Sequence, residues 1–241
     1  MDLNNIMSKC TRTEFVGTSV LDTIGLVISG IDSTLLAKMN IGTKYKALGM
    51  ISARTGAAGQ LTAMDDAVKA SNTELLSVDL ARDTKGGGGH GCLIVIGGTD
   101  ISDVRHAIGM GLELTKKYSG EVYVSDGGHM ELAYSASAGA VLQKALGAKP
   151  NQAFGFMAAC PAGIGLVMAD NAVKASSTEL VTYMTPSFGT SHTNEIIAAF
   201  SGDAGAVKSA VLAARRVGLE LLPALGYEVS RVGTSYLSEG F

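Results

Sequence analysis

Apolar and polar positions along this chain follow two rhythms, helical and extended, that trade places in a fixed order. Apolar runs at 24–28 and 130–134 have the length of buried strands. Each precedes apolar positions at helical spacing: Leu35, Leu36 and Met39 in one case, Val141, Leu142 and Ala145 in the other. Asp32 and Ser33 suit the start of the first helix, because short polar side chains accept the unpaired amides of an opening turn. Second strands are expected at 48–53 and 154–159. Met64, Ala67, Val68 and Ser71 then share one helical face, with Lys69 turned away. Asn72 is placed to end that helix in the left-handed region. Leu76, Val78 and Leu80 alternate with Ser77 and Asp79, the period of a half-exposed strand. A compact strand at 92–96 leads to a Gly97-Gly98 turn and a helix capped by Asp100, with Val104, Ala107, Ile108 and Leu112 inward. The order β-α-β-α-β-β-α is that of an α/β fold, an α+β sandwich with helices covering a sheet.

The order occurs twice because the sequence does. "DDAVKASNTEL" at 65–75 returns as "DNAVKASSTEL" at 170–180, a displacement of 105 positions. The match extends from 46–71 to 152–176, from 92–108 to 195–211, and through Gly-Leu-Glu-Leu at 111–114 and 218–221. Residues 23–42 have a fainter partner at 129–147. A duplicated unit of this size is a small domain, not a short solenoid repeat. The chain divides into an extension at 1–13, units at 14–120 and 121–227, and a tail at 228–241. The tail, "RVGTSYLSEGF", is similar to the lead-in "FVGTSVLDTIG" at 15–25. It is expected to pack as such a lead-in would, with a neighbouring subunit as a candidate surface.

Composition narrows the function. Hydrophobic residues make up 46% and charged residues 17%, which suits a filled core. A net charge of −3 argues against a nucleic-acid binder. No apolar run approaches the roughly 20 residues of a membrane span, and the first fifteen residues lack the pattern of a secretory signal. Cys10, Cys92 and Cys160 are odd in number and far apart, which fits a reducing cytosol better than a disulfide framework.

Leu48-Gly49-Met50-Ile51, then Asp65 to Ala70, then Thr73-Glu74-Leu75 resemble the opening of a bacterial microcompartment shell domain. Phe154-Gly155-Phe156 and Asp170 to Ala175 repeat the pattern, and the segment at 201–214 is similar to the family's next helix. The strand and helix at 24–39, which end an ordinary shell domain, here come first. The chain therefore resembles the circularly permuted, tandem-domain shell proteins of the propanediol-utilisation B and ethanol-utilisation B type, as does the segment at 82–98. The resemblance implies two ferredoxin-like units and no enzyme activity or cofactor. It implies a homotrimer that imitates a hexamer, tiles with other shell proteins around an enzyme core, and passes small polar metabolites through pores. It also implies that residues 1–13 touch the encapsulated enzymes. The alternative reading is a soluble regulatory protein that binds a metabolite between its halves.

Two loops carry the candidate chemistry. In the shell family the loop at 83–91 faces a central pore, so Thr84, Lys85, Gly86, Gly87, Gly88, Gly89 and His90 are expected to line one. Chains converging on an axis bring backbone against backbone, and only glycine lacks the clashing Cβ. The equivalent loop at 185–194 offers Ser187, Phe188, Gly189, Thr190, Ser191 and His192. The glycine spacing at 86–91 also matches a dinucleotide fingerprint, but a strand follows where that motif needs a helix. Lys69 and Lys174 match the family's edge lysine, although the arginine that often accompanies it is missing from 28–30 and 134–136. No His, Cys and carboxylate spacing resembles a metal site, and His129-Met130-Glu131 reads as a strand pattern. Cys92 lies too far into an apolar strand for the iron–sulfur cluster held by some tandem shell relatives.

Overall fold

A computed structural model of the chain describes residues 12–81 and 90–237. The first half contains β1 (Phe15–Ser19), β2 (Thr23–Ser29), α1 (Ser33–Lys38), β3 (Ala47–Ala53), α2 (Ala58–Lys69), β4 (Glu74–Asp79), β5 (Cys92–Gly98) and α3 (Ile101–Tyr118). A 3-10 turn at Ser119–Glu121 leads to β6 (Val122–Ser125), β7 (Gly128–Ser135), α4 (Ala140–Leu146), β8 (Ala153–Cys160), α5 (Ala162–Ala175), β9 (Glu179–Met184), β10 (Ile196–Gly202) and α6 (Ala204–Leu221). A two-residue strand, β11 (Ser230–Arg231), follows.

Both sheets have the same plan. One is ordered β1-β2-β3-β5-β4 and the other β11-β6-β7-β8-β10-β9. Their strand pairs are antiparallel. α3 packs across β1, β2 and β3 beside α2, while Leu36 of α1 joins a separate cluster with Leu48 and Val95. The helices sit close because the sheet is glycine-lined beneath them. A Cβ at Gly49 would lie 2.6 Å from Val104, and one at Gly155 would lie 2.7 Å from Val211. Such contacts are closer than real Cβ atoms allow, so each half needs glycine there.

The expected elements form, with four differences. β1 and β6 add a hairpin strand at the start of each unit, β1 at the edge of its sheet and β6 between β11 and β7; β1 buries only Gly17, so no apolar alternation marks it. α2 ends at Ala70 with φ −95°, and the left-handed helix ends are Asn40 at φ 56° and Gly147 at φ 69° instead of Asn72. Gly97 and Gly98 lie inside β5, where they pair with Leu48 and Ala47. Of the three apolar positions of α1, only Leu36 is buried.

The tail packs on its own chain. β11 pairs with β6, and the buried Arg215 sits 3.1 Å from the fully buried carboxylate of Glu121. Glu121 also accepts the backbone amides of Tyr236 and Leu237, each at 3.1 Å. No described helix is long and apolar enough to cross a membrane.

Candidate functional site

The two halves meet where α2 of the first rests on α4 and β7 of the second. One hydrophobic cluster runs through this seam, from Leu61 and Met64 of α2 to Val141, Leu142 and Leu146 of α4. Polar groups cross it in both directions. α2 begins at Ala57 without a cap of its own, and Glu131 of β7 accepts the amides of Ala57 at 3.1 Å and Ala58 at 3.2 Å. α4 begins at Gly139, also without one, and Asp65 of α2 accepts the amides of Gly139, Val141 and Leu142 at 2.8, 3.1 and 3.2 Å. Each half thus finishes a helix of the other. A carboxylate at a helix start satisfies free amides and meets the positive end of the helix dipole. Burial pushes the Glu131 carboxyl up, opposed by the His129 charge and the two amide hydrogen bonds.

Next to these caps lies a buried charge cluster. His129 Nε2 is 3.0 Å from Glu195 Oε1, a hydrogen bond. His90 Nδ1 is 2.7 Å from Glu195 Oε2, off the line of a hydrogen bond. Burial alone would raise the Glu195 carboxyl; the two imidazoles outweigh it and hold it down at about 2. Cys92 sits nearby, its thiol pushed up to about 12 by burial and then by the Glu131 charge. Among the described residues no set of three or more His, Cys, Asp or Glu side chains is arranged to hold a metal ion.

Thr84, Lys85 and Gly86 to Gly89 fall outside the described residues. His90 is 5% exposed and faces the seam. The other loop, between β9 and β10, is a compact knot. Thr185 and Phe188 exchange backbone hydrogen bonds, the His192 amide bonds to the Pro186 carbonyl, and Ser191 and His192 adopt positive φ. Thr190 is buried, its hydroxyl donating to the Thr185 carbonyl at 2.8 Å. Ser187, Gly189, Ser191 and His192 are exposed, and Phe188 projects with 73% exposure. Lys69 bridges the seam, 2.8 Å from the Ser137 carbonyl and 2.8 Å from Asp66, at the rim of an open cleft of about 410 Å³. Lys174 pairs with Asp170 of its own helix at 2.6 Å.

The seam carboxylates escaped the sequence reading. Asp65 carried a signal, since it stands inside the repeated motif. Glu131 carried none, because a strand glutamate 74 positions from its amides has no local pattern.

A model of the BMC domain matches residues 47–126 and again 153–229. The chain belongs to the BMC-domain family. Each match begins at the third strand of its half, after two strands and a helix, in keeping with the permuted order. The chain is 47% identical over 231 residues to the bacterial microcompartment shell protein PduB of Limosilactobacillus reuteri, covering 95% of this chain and 97% of that one. It superposes on EtuB from Clostridium kluyveri with a TM-score of 0.90 at 46% identity, covering 94% of this chain and 99% of that one. A trimeric microcompartment shell protein PduB matches with a TM-score of 0.88 at 46% identity, covering 93% and 100%. These relatives are structural shell proteins, not enzymes, and the family places this chain with them. They lend no support to a metabolite-binding regulatory protein.

Proposed function

We propose that three copies of this chain close into a flat, pseudo-sixfold plate that tiles with other shell proteins in the wall of a cytoplasmic bacterial microcompartment. One observation carries the reading: the face that is buried at the seam inside the chain is exposed at its counterpart. Leu61 of α2 is 1% exposed and Leu166 of α5, its repeat equivalent, 54%. Across the seam Leu142 is 1% exposed and its equivalent, Leu35 of α1, 48%. α5 of one copy therefore has the same reason to meet α1 of the next as α2 has to meet α4.

In this plate the repeating units are residues 14–120 and 121–227. The loops at 84–90 and 187–192 gather at the axis. Ser187, Phe188, Gly189, Ser191 and His192 face an opening for small polar metabolites, with His90 and Thr190 behind them. Lys69 and Lys174 mark the border towards neighbouring plates, and residues 1–13 contact encapsulated enzymes. What supports these assignments is the exposure of the second loop and the placement of both lysines late on equivalent helices.

Cross-linking tests the axis. Ser187→Cys, treated with a short tris-maleimide, is expected to give covalent trimers that the untouched chain does not. Cross-linked species no more abundant than in the parent would place the loops elsewhere. Deleting residues 1–13 is expected to leave plates intact and reduce enzyme co-purification; unchanged co-purification would remove that role.

A further inference from the structure

The repeat lets the joint inside the chain be compared, position by position, with the joint between copies. Asp65 of α2 corresponds to Asp170 of α5, as Ala67 does to Ala172. Gly139, where α4 starts, corresponds to Asp32, where α1 starts. The strands before them fix this register: Tyr134 pairs with Gly155 as Val27 pairs with Gly49.

At the internal joint the helix start is left open for the other half. A Cβ on Gly139 would stand 2.8 Å from Asp65 Oδ1 and 3.0 Å from its Oδ2, so any side chain there would crowd the carboxylate that holds the Val141 and Leu142 amides. At the external joint the same place is filled. Asp32 carries its own carboxylate and accepts the amides of Thr34 at 2.8 Å and Leu35 at 3.3 Å, the equivalents of Val141 and Leu142. Asp170 holds Lys174 instead.

The opposite side of the joint shows the same substitution. α2 needs Glu131 from across the seam, whereas Ala162 of α5 donates to Asn194 of its own half at 3.0 Å. The position equivalent to Glu131 is Ile24, which has no acceptor to offer. Both helices that face another copy are capped within the protomer, and both that face the chain's other half are capped across the seam.

We infer that Asp32 sets the strength of the contact between copies: it occupies the amides that Asp170 of the partner subunit would otherwise take, and so makes this joint separable where the internal one is not. The occupant is a second copy of this chain, and the inference rests on the trimer reading above. Asp32 and the partner's Asp170 also bring like charges together, with Lys174 of the partner subunit as the neighbouring cation. Asn171, the equivalent of Asp66, adds no charge.

Dilution in sedimentation equilibrium tests this on the full chain, with Asp32→Gly, Asp170→Ala and the double variant. Asp32→Gly is expected to lower the trimer's dissociation constant about tenfold, the worth of one helix cap. The gain should vanish in the double variant. Should the loss of glycine-sensitive helix α1 unfold Asp32→Gly, Asp32→Asn keeps a cap acceptor without the charge and should tighten the trimer in the same direction by a smaller factor. Trimers of either variant that dissociate as readily as the parent, or more readily, would overturn the inference. A parent chain that never forms trimers would instead overturn the reading beneath it.

Discussion

Arg215 Nη1 stands 3.1 Å from Glu121 Oε2 with both side chains almost completely buried, and the tail is closed over them. Arg215 also donates to the Leu237 carbonyl at 2.9 Å, while Ser235 donates to Glu121. Removing one partner leaves the other charge buried and unmatched. Arg215→Ala is therefore expected to cost about 3 kcal/mol in urea unfolding. The paired variant Arg215→Met with Glu121→Gln should lose less than Arg215→Ala alone. Equal losses would mean that the pair does not hold the tail.

Equivalent aspartates should behave unequally. Asp65 is 1% exposed and accepts three amides, whereas Asp170 is exposed and paired only within its helix. Asp65→Ala is expected to destabilise the protomer by about 2–4 kcal/mol in chemical denaturation. Asp170→Ala should change it by less than about 1 kcal/mol. Similar losses would contradict the one-sided capping of the seam.

Glu131 separates charge from acceptor. Glu131→Gln keeps an oxygen for the Ala57 and Ala58 amides and avoids holding a buried charge, whose carboxyl burial already pushes up. It should unfold within about 1 kcal/mol of the parent at neutral pH, while Glu131→Ala should lose about 2 kcal/mol. Thermal or urea melts of the two variants decide between charge and hydrogen bonding.

Acid should act through Glu195. Its carboxyl titrates at about 2 in the folded chain against 4.5 for an ordinary glutamate, so the unfolded chain binds the proton more readily. The stabilisation is therefore complete above about pH 4.5 and is lost as pH falls towards 2. Unfolding free energies across that window should fall less steeply for Glu195→Gln than for the parent. Parallel curves would show that the His90 and His129 contacts carry no linkage.

Much of this architecture is legible in the residues, and the limits have physical causes. Asp32 and Asp100 announce the starts of α1 and α3, and each accepts amides of the turn it precedes. The duplicated motif gives the two-unit plan, because both copies keep the same buried alanines, Ala67 and Ala172. β1 and β6 are hidden because the first buries only Gly17 and the second is four residues long, too little in either case to set a period. One amphipathic face is too narrow a description of α2: Leu61, Thr62 and Asp65 are buried too, because the helix is covered by α3 on one side and by the second half on the other. Leu35 and Met39, by contrast, have the spacing of a core face yet lie exposed, as the proposed contact between copies requires. The seam caps rest on partners more than 70 positions apart, beyond the reach of any local pattern.

Sedimentation velocity on the purified full chain tests the central claim most directly. The account predicts a single discoidal species of three times the 24.7 kDa chain mass, dissociating on dilution without unfolding. A chain that sediments as a monomer at every concentration, with Leu166 and Leu35 left open to water, would contradict it.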